Sequence, residues 1–460
     1  MRSLLAACLI LSAASARASS DESAAQAAAA SFDGSAARGG ASAALSASGV
    51  AAPAAPPAQP LPKSDVELRD DVERRGFLYF WEQADPATGQ VPDRAAADGA
   101  KAADPVASVA ATGFGLSALC AGATHGWVTR DQARARAKAT LTFLLNTAPQ
   151  EHGFFYHFID ARTGARAYGS EVSTIDTALL LGGVLTARQC FGDDPEIRAL
   201  ATAIYDRVDF PWMLKGAPPL LSMGWTPENG FIPARWGGYS EHMILDLLAV
   251  GSPTHPIPPS EWNDWARESV HYGTYTYIAG DTPLFIHQYS QAYVDFRGLK
   301  DGHGIDYFQN SVTATLAQRQ FFADMSKDVP TYSADVWGGT ASDTEDGYKA
   351  WGGPPRSAAD DGTVAPCAPG GSIMFTPEQS LDALREMKKR WGGKIYGRYG
   401  FVDAFNPADG WVDKDVIGID QGITALSAEN QRDGKIWGWF MSNPEIGRAM
   451  NEVGFKKETP

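Results

Sequence analysis

Two acidic residues, Glu171 and Glu241, stand seventy positions apart in matching surroundings. Each follows a serine and precedes an apolar helical run. Ser170-Glu171-Val172-Ser173-Thr174-Ile175-Asp176 leads into Leu179-Leu180-Leu181, and Ser240-Glu241-His242 leads into Met243-Ile244-Leu245. In both, the serine suits an N-cap, where its hydroxyl accepts from an unpaired first-turn amide, and the glutamate then takes the first helical position. Asp420-Gln421-Gly422, before Ile423-Thr424-Ala425-Leu426, is a looser third copy. Acids favour helix N-termini for electrostatic reasons alone. Three carboxylates at three helix mouths can also converge on one cleft, and a carboxyl pair flanking a glycosidic bond is what glycoside hydrolysis requires.

Aromatic and polar side chains crowd the same segments. Tyr156 precedes the first glutamate; Trp236 and Tyr239 precede the second; His287, Tyr289, Arg297, Trp351, Asp403 and Trp411 follow along the chain. Flat rings beside hydroxyl- and amide-binding groups suit sugars, because pyranose faces are apolar while their rims carry hydroxyls. Taken singly, such a ring more often fills a core. Rings flanked by Gly-Gly and Pro in loops are harder to bury. His242 and Asp246, four apart on one helix, resemble a metal pair, but no second histidine cluster accompanies them, and structural hydrogen bonding is the better reading. The chain has no Gly-x-Ser-x-Gly elbow for serine hydrolysis, and its glycine-rich runs lack phosphate-loop spacing.

The elements that must hold these groups read as helices in pairs, a buried one followed by an amphipathic one. Val66 to Ala84 is helical. Val106–Ala121 pairs with Arg130–Leu145, Ser170–Cys190 with Pro195–Val208, Ser240–Val250 with Pro259–Tyr272, His287–Arg297 with Tyr307–Met325, and Asp420–Asn430 with Asn443–Val453. Strand signals are sparse: a hairpin turn at Pro227-Glu228-Asn229-Gly230, and an irregular stretch from Tyr332 to Gly371. Alternating helix pairs without intervening strands predict an all-α fold, an (α/α)6 toroid with long irregular loops and minor β-hairpins.

Composition bounds the rest. Residues 1–18 pair a basic start with an apolar run and an Ala16-Arg17-Ala18 step, the pattern of a secretory signal peptide; Cys8 lies too early in that run to favour lipid anchoring. Residues 19–62 are Ala-, Ser- and Pro-rich, a composition that predicts a disordered tether. Residues 63–460 hold all 13 Trp and form the expected folded domain. The location implied is periplasmic or secreted. A net charge of −15 argues against nucleic acid and anionic membrane surfaces, and an uncharged glycan is indifferent to it. Cys120, Cys190 and Cys367 show no paired spacing, so neither a zinc motif nor a disulfide framework is expected.

Longer motifs are more specific. Phe77-Leu78-Tyr79-Phe80-Trp81-Glu82 with Gly89-Gln90-Val91-Pro92-Asp93-Arg94, the two Ser-Glu segments, Pro283 to Tyr289, Asp295-Phe296-Arg297, Asp306 to Ser311, Tyr399 to Asn406 and Gly418-Ile419-Asp420-Gln421-Gly422 together resemble the glycoamylase-like family. That family comprises bacterial β-1,2-glucanases and is related to domains of cyclic β-1,2-glucan synthases. The resemblance spans Val66 to Phe455. It implies the toroid, a glycan cleft, no metal or cofactor, and Glu171, Glu241 and Asp420 as catalytic acids. Asp176 and Asp403 join Tyr156, Trp236, Tyr239, His287, Tyr289, Arg297, Trp351 and Trp411 as candidate substrate-binding residues. Glu241 is the favoured general acid, because Trp236, Tyr239 and Met243 offer it an apolar setting; Asp420 or Glu171 would handle the water. The expected activity is hydrolysis of a β-glucan, above all β-1,2-glucan, by a monomer. A transglycosylase or a hydrolase of another glucan keeps the fold; a non-catalytic envelope glycan-binding protein would not need the three acids.

Overall fold

A computed structural model describes residues 61–101, 105–215, 219–357 and 359–457. The signal-peptide segment 1–18 and nearly all of the tether 19–62 lie outside the described residues. No described helix is long and apolar enough to cross a membrane.

Six helices form a closed inner ring: α2 (Val109–Thr124), α4 (Thr174–Cys190), α6 (Met243–Val250), α7 (Phe285–Tyr293), α9 (Cys367–Gly371) and α11 (Gly418–Arg432). Each packs on the next, and α11 returns to α2. Outside them lie α1 (Lys63–Gln83), α3 (Arg130–Asn146), α5 (Pro195–Asp206), α8 (Tyr307–Met325), α10 (Pro377–Ile395) and α13 (Pro444–Glu452). The fold is an α/α toroid. A short helix, α12 (Lys435–Met441), packs across α2, α4, α7 and α11, and its Phe440 meets Tyr293 at 5.7 Å between ring centroids.

Local chemistry accounts for most of these elements. Helix α2 is small or apolar on every face and is buried from Val109 to Gly122, as a ring helix covered on both sides must be. Thr129 and Gln132 form a reciprocal capping box on α3, and Asp194 caps α5 ahead of Pro195. The inner ring tightens where glycines replace side chains. A Cβ on Gly183 would lie 1.9 Å from the Gly113 carbonyl oxygen, and one on Gly113 would lie 2.4 Å from that of Leu179. Helices α2 and α4 therefore touch backbone to backbone.

The structure differs from the sequence reading in several places. Ser170 and Ser240 are not caps. Val172–Ser173 pairs as a strand with Gly224–Trp225, so the chain stays extended past Glu171 and Ser173 caps α4, accepting from the Asp176 amide. At α6 the N-cap position is His242, with no side-chain cap bond, and Glu241 sits in the preceding turn. Pro259–Tyr272 is no amphipathic helix. It is a 3-10 turn, Pro259–Asn263, followed by a hairpin of Ser269–Tyr272 with Tyr275–Ile278, where Gly273 takes the positive φ of 57° that the turn needs. Helix α13, from the far end of the chain, packs on α6 instead, and α1 covers α11. The inner helix α9 falls inside the stretch read as irregular, being too short to show a period, and α10 completes its pair.

Gly183→Ala should therefore destabilise the protein by about 3 kcal/mol in chemical denaturation, the upper range for overpacking, because the atom met is a helix carbonyl that cannot rotate away. Gly447→Ala, in α13 with nothing within 4 Å of its Cβ, should be neutral or stabilising by up to about 1 kcal/mol.

Candidate active site

Three small antiparallel ribbons tie together the loops that lead into the inner helices. Val106–Ser108 pairs with Phe158–Asp160, Val172–Ser173 with Gly224–Trp225, and Arg94–Ala96 with Asp415–Ile417. They hold one cleft over the N-terminal ends of α4, α6, α7 and α11. Its wall carries Asp93, His157, Asp176, Glu241 and Asp281 beside Trp236, Tyr289 and Tyr348, and apolar side chains such as Ile175, Leu179, Phe285 and Ile419 complete it. Acids set among rings and aliphatic groups match the mixed surface of a sugar.

The Glu241 carboxyl is buried in this wall. Burial pushes its pKa up to about 7; the Ser240 hydroxyl, which donates to it, pulls the other way, and the Asp176 and Asp281 charges add to the rise. Asp176 stands in the first turn of α4, where the Ser173 hydroxyl donates to its carboxylate at 2.5 Å. His157 bridges two acids, its Nε2 3.3 Å from Asp176 Oδ1 and its Nδ1 3.1 Å from Glu171 Oε1. Burial alone would depress the His157 pKa, but Asp176 and Glu171 drive it up to about 9, so the ring is an imidazolium at neutral pH.

Asp420 occupies the first turn of α11 and is buried. Burial pushes its pKa up to about 7 against the lowering effect of Asp403 and Cys367 beside it. Asp403 is held well above the usual carboxylate range by burial and by Asp420 and Asp343. The Asp343 amide donates to Asp403 Oδ2 at 2.7 Å, and Arg94 donates to Asp343 at 2.7 Å and to Asp93 at 3.3 Å. Asp420 does not line the main cleft. It lines a small cavity with Cys367 and Asp403, and its charge helps to raise the hydroxyls of Tyr289 and Tyr348, buried groups of the cleft wall.

The cleft gathers Glu241, Asp176, Trp236 and Tyr289 from the residues expected on sequence. Trp236 donates from its indole to Thr174 Oγ1 at 3.0 Å and stacks on His242. Glu171 meets His157 and is absent from the cleft wall. Tyr156 is buried under the Arg166 guanidinium. Tyr239 is fully buried between Tyr307 and Trp265, and its hydroxyl pairs with His287 at 3.1 Å. Trp351 is buried against Phe322 and donates to Ser342. Trp411 is half-buried in a ribbon with Asn406, and Arg297, beyond the C-terminal end of α7, pairs with Asp295 and covers Trp437. His242 lies 3.6 Å from Asp246 in full burial, which holds its pKa down to about 3 as a neutral ring. His157, Asp93, Asp281 and Tyr348 are wall residues that were not among the candidates, although Asp93 stands in the Gly89 to Arg94 motif. The signal for His157 was strand alternation: Tyr156 pairs with Val172, so its neighbour faces the other side.

The Glycoamylase family model, described as "Putative glucoamylase", matches residues 233–444. A Bacteroides caccae structure bearing the same description is 33% identical, aligns with a TM-score of 0.79, and covers 85% of this chain and 100% of its own. The chain belongs to the glycoamylase-like family. Within that family, the endo-β-1,2-glucanase of Chitinophaga pinensis, solved with sophorotriose and glucose, is 29% identical with a TM-score of 0.77, covering 85% of this chain and 98% of that one. A curated relative, the exo β-1,2-glucooligosaccharide sophorohydrolase (non-reducing end) of Parabacteroides distasonis, is 29% identical over 433 residues, 85% of this chain. The match spans 58% of that relative's length.

The raised pKa of Glu241 makes a stability prediction whose sign is fixed. Between pH 4.5 and about 7 its carboxyl holds a proton in the folded chain and releases it in the unfolded one, so stability falls as pH rises through that window. The loss from this group is at most about 3 kcal/mol. Glu241→Gln should remove that share, so that its melting temperature relative to wild type rises from pH 5 to pH 8.

Proposed function

We propose that this chain is an exported glycoside hydrolase that cleaves β-1,2-glucan by carboxylate acid/base catalysis, with residues 63–460 as its catalytic unit. The observation that carries the reading is Glu241: a carboxyl facing a sugar-suited cleft, with burial holding its proton near neutral pH. Such a group can give a proton to a leaving glycosidic oxygen. The relatives acting on β-1,2-linked glucans supply the linkage. Secretion fits the leader and tether composition of residues 1–62, and a large extracellular polymer as substrate.

Asp420, which lines the small cavity with Asp403 and not the main cleft wall, is the proposed base, handling the attacking water. Its neighbour Asp403 keeps a proton more tightly and so leaves Asp420 as the member of the pair that ionises. Glu171 is assigned to support rather than to contact: it orients His157, which orients Asp176. Asp176 in turn places a negative charge toward Glu241 and keeps that carboxyl protonated to higher pH. Trp236 and Tyr289 supply the apolar platforms on which a glucosyl ring can rest.

Incubation with linear β-1,2-glucan, read by reducing ends and product lengths, tests the reading. Release of sophorose or short oligosaccharides is expected; longer products would point to transfer, and unchanged polymer would contradict it. Glu241→Gln and Asp420→Asn should each cut turnover by at least about a hundredfold with the fold intact. Asp176→Asn should move the basic limb of the pH–rate profile downward, because it removes a charge that disfavours ionised Glu241. An unmoved limb would break the link between the two residues.

A further inference from the structure

Gly113 and Gly183 mark where the backbones of α2 and α4 touch, and seven residues further along each helix stand Cys120 and Cys190. Seven residues are about two turns, so each helix presents the same face again about 10 Å beyond the glycine contact. The ribbon strands Val106–Ser108 and Val172–Ser173 lead directly into α2 and α4 from the cleft end, so the two helices run the same way. An equal offset along parallel helices brings the two cysteines together. Their thiols are hydrogen-bonded to each other, and both residues are buried. Both are free thiols in this structure. Cys367, on α9, is hydrogen-bonded to Asp420 instead. Sequence spacing does not announce the pair, because its members meet only across a helix–helix contact.

We infer that Cys120 and Cys190 form a disulfide bond in the exported protein, clasping α2 to α4 at the end of the ring away from the cleft. The inference rests on reading residues 1–18 as an export leader, since such bonds persist in oxidising compartments. The oxidant is an external disulfide, that of a thiol–disulfide oxidoreductase or of oxidised glutathione. One cysteine thiolate attacks it, forming a mixed disulfide and expelling a thiolate; the second cysteine then displaces the remaining sulfur. Two thiol protons leave, and two electrons reduce the external disulfide to two thiols. Burial, with Cys190 beside it, pushes the Cys120 thiol up, so exchange is slow once the chain has folded. The bond therefore forms while the ring assembles. Afterwards Arg130 holds the end of α4 in place, donating to the Cys190 carbonyl at 2.9 Å and to Asp193 at 2.7 Å. The loop closed by the bond carries His157, Glu171 and Asp176, and constraining it in the unfolded chain favours the fold.

The full chain, leader included, is expressed in a bacterial host, and protein recovered from the periplasm is denatured in N-ethylmaleimide, digested and weighed. Cys367 should be alkylated, and the peptides carrying Cys120 and Cys190 should be joined, lighter by two hydrogens than their sum. Alkylation of both Cys120 and Cys190 in that protein overturns the bond. A chain that never leaves the cytoplasm refutes the export reading, and the site is then read by itself. The purified chain is refolded from denaturant in mixed oxidised and reduced glutathione, where a Cys120–Cys190 bridge supports the pairing, and no bridge, or one that involves Cys367, overturns it. Cys367→Ala should keep the bridge, and Cys190→Ala should leave Cys120 alkylated. Full reduction should lower the melting temperature of the wild type by about 5 °C and leave that of Cys190→Ala unmoved. A bridged wild type that melts alike in both states overturns the clasp.

Discussion

The contact between helices α2 and α4 at Gly113 and Gly183 sets the geometry on which the rest depends. Backbone meets backbone there, with no side chain between. The two helices thereby lie close enough for the inner ring to close, and Phe114 of α2 packs near Tyr289 and Tyr293 of α7 at 5.9 and 5.8 Å. Four of the inner helices point their N-termini at the cleft. The ribbons that join the loops at this end then fix where each acid points.

At those helix ends two electrostatic effects oppose each other. The macrodipole favours an anion, worth up to about 2 kcal/mol in a partly buried position. Removing a carboxylate from water costs several kcal/mol even after relaxation. Burial wins at both proposed catalytic acids, Glu241 and Asp420, which rise to about 7. The dipole argument taken alone predicts the reverse. Asp176 is raised as well: burial pushes its carboxyl up, while the imidazolium of His157 and the Ser173 hydroxyl, which reach it on α4, pull the other way.

Much of the architecture was legible in the residues, and the reasons for the failures are physical. Tyr307–Met325 has a clear helical period and the strand ends at Pro227-Glu228-Asn229-Gly230 are marked by turn residues, so both stand where expected. Ser-Glu pairs read as caps failed because strand pairing at Val172–Ser173, a long-range interaction, delays the helix start. The alternation of Ser269–Ile278 around Gly273 was a strand signal overlooked in favour of helix pairing. Among the site residues, types were readable and directions were not. Tyr239, His287 and Trp351 have the chemistry of a sugar site, yet packing turns them into the core, whereas His157 lies one residue from a position named for the same role. Pairing between α13 and α6 joins segments nearly 200 positions apart, and no local pattern announces it.

The account turns on the ionisation of one buried carboxyl. Infrared difference titration of the unliganded protein, wild type against Glu241→Gln, isolates that group's carboxyl stretch. A protonated-carboxyl band lost with a midpoint near pH 7 and absent from the variant is the predicted result. A Glu241 carboxyl that ionises near pH 4.5, the ordinary value for an exposed glutamate, would contradict it.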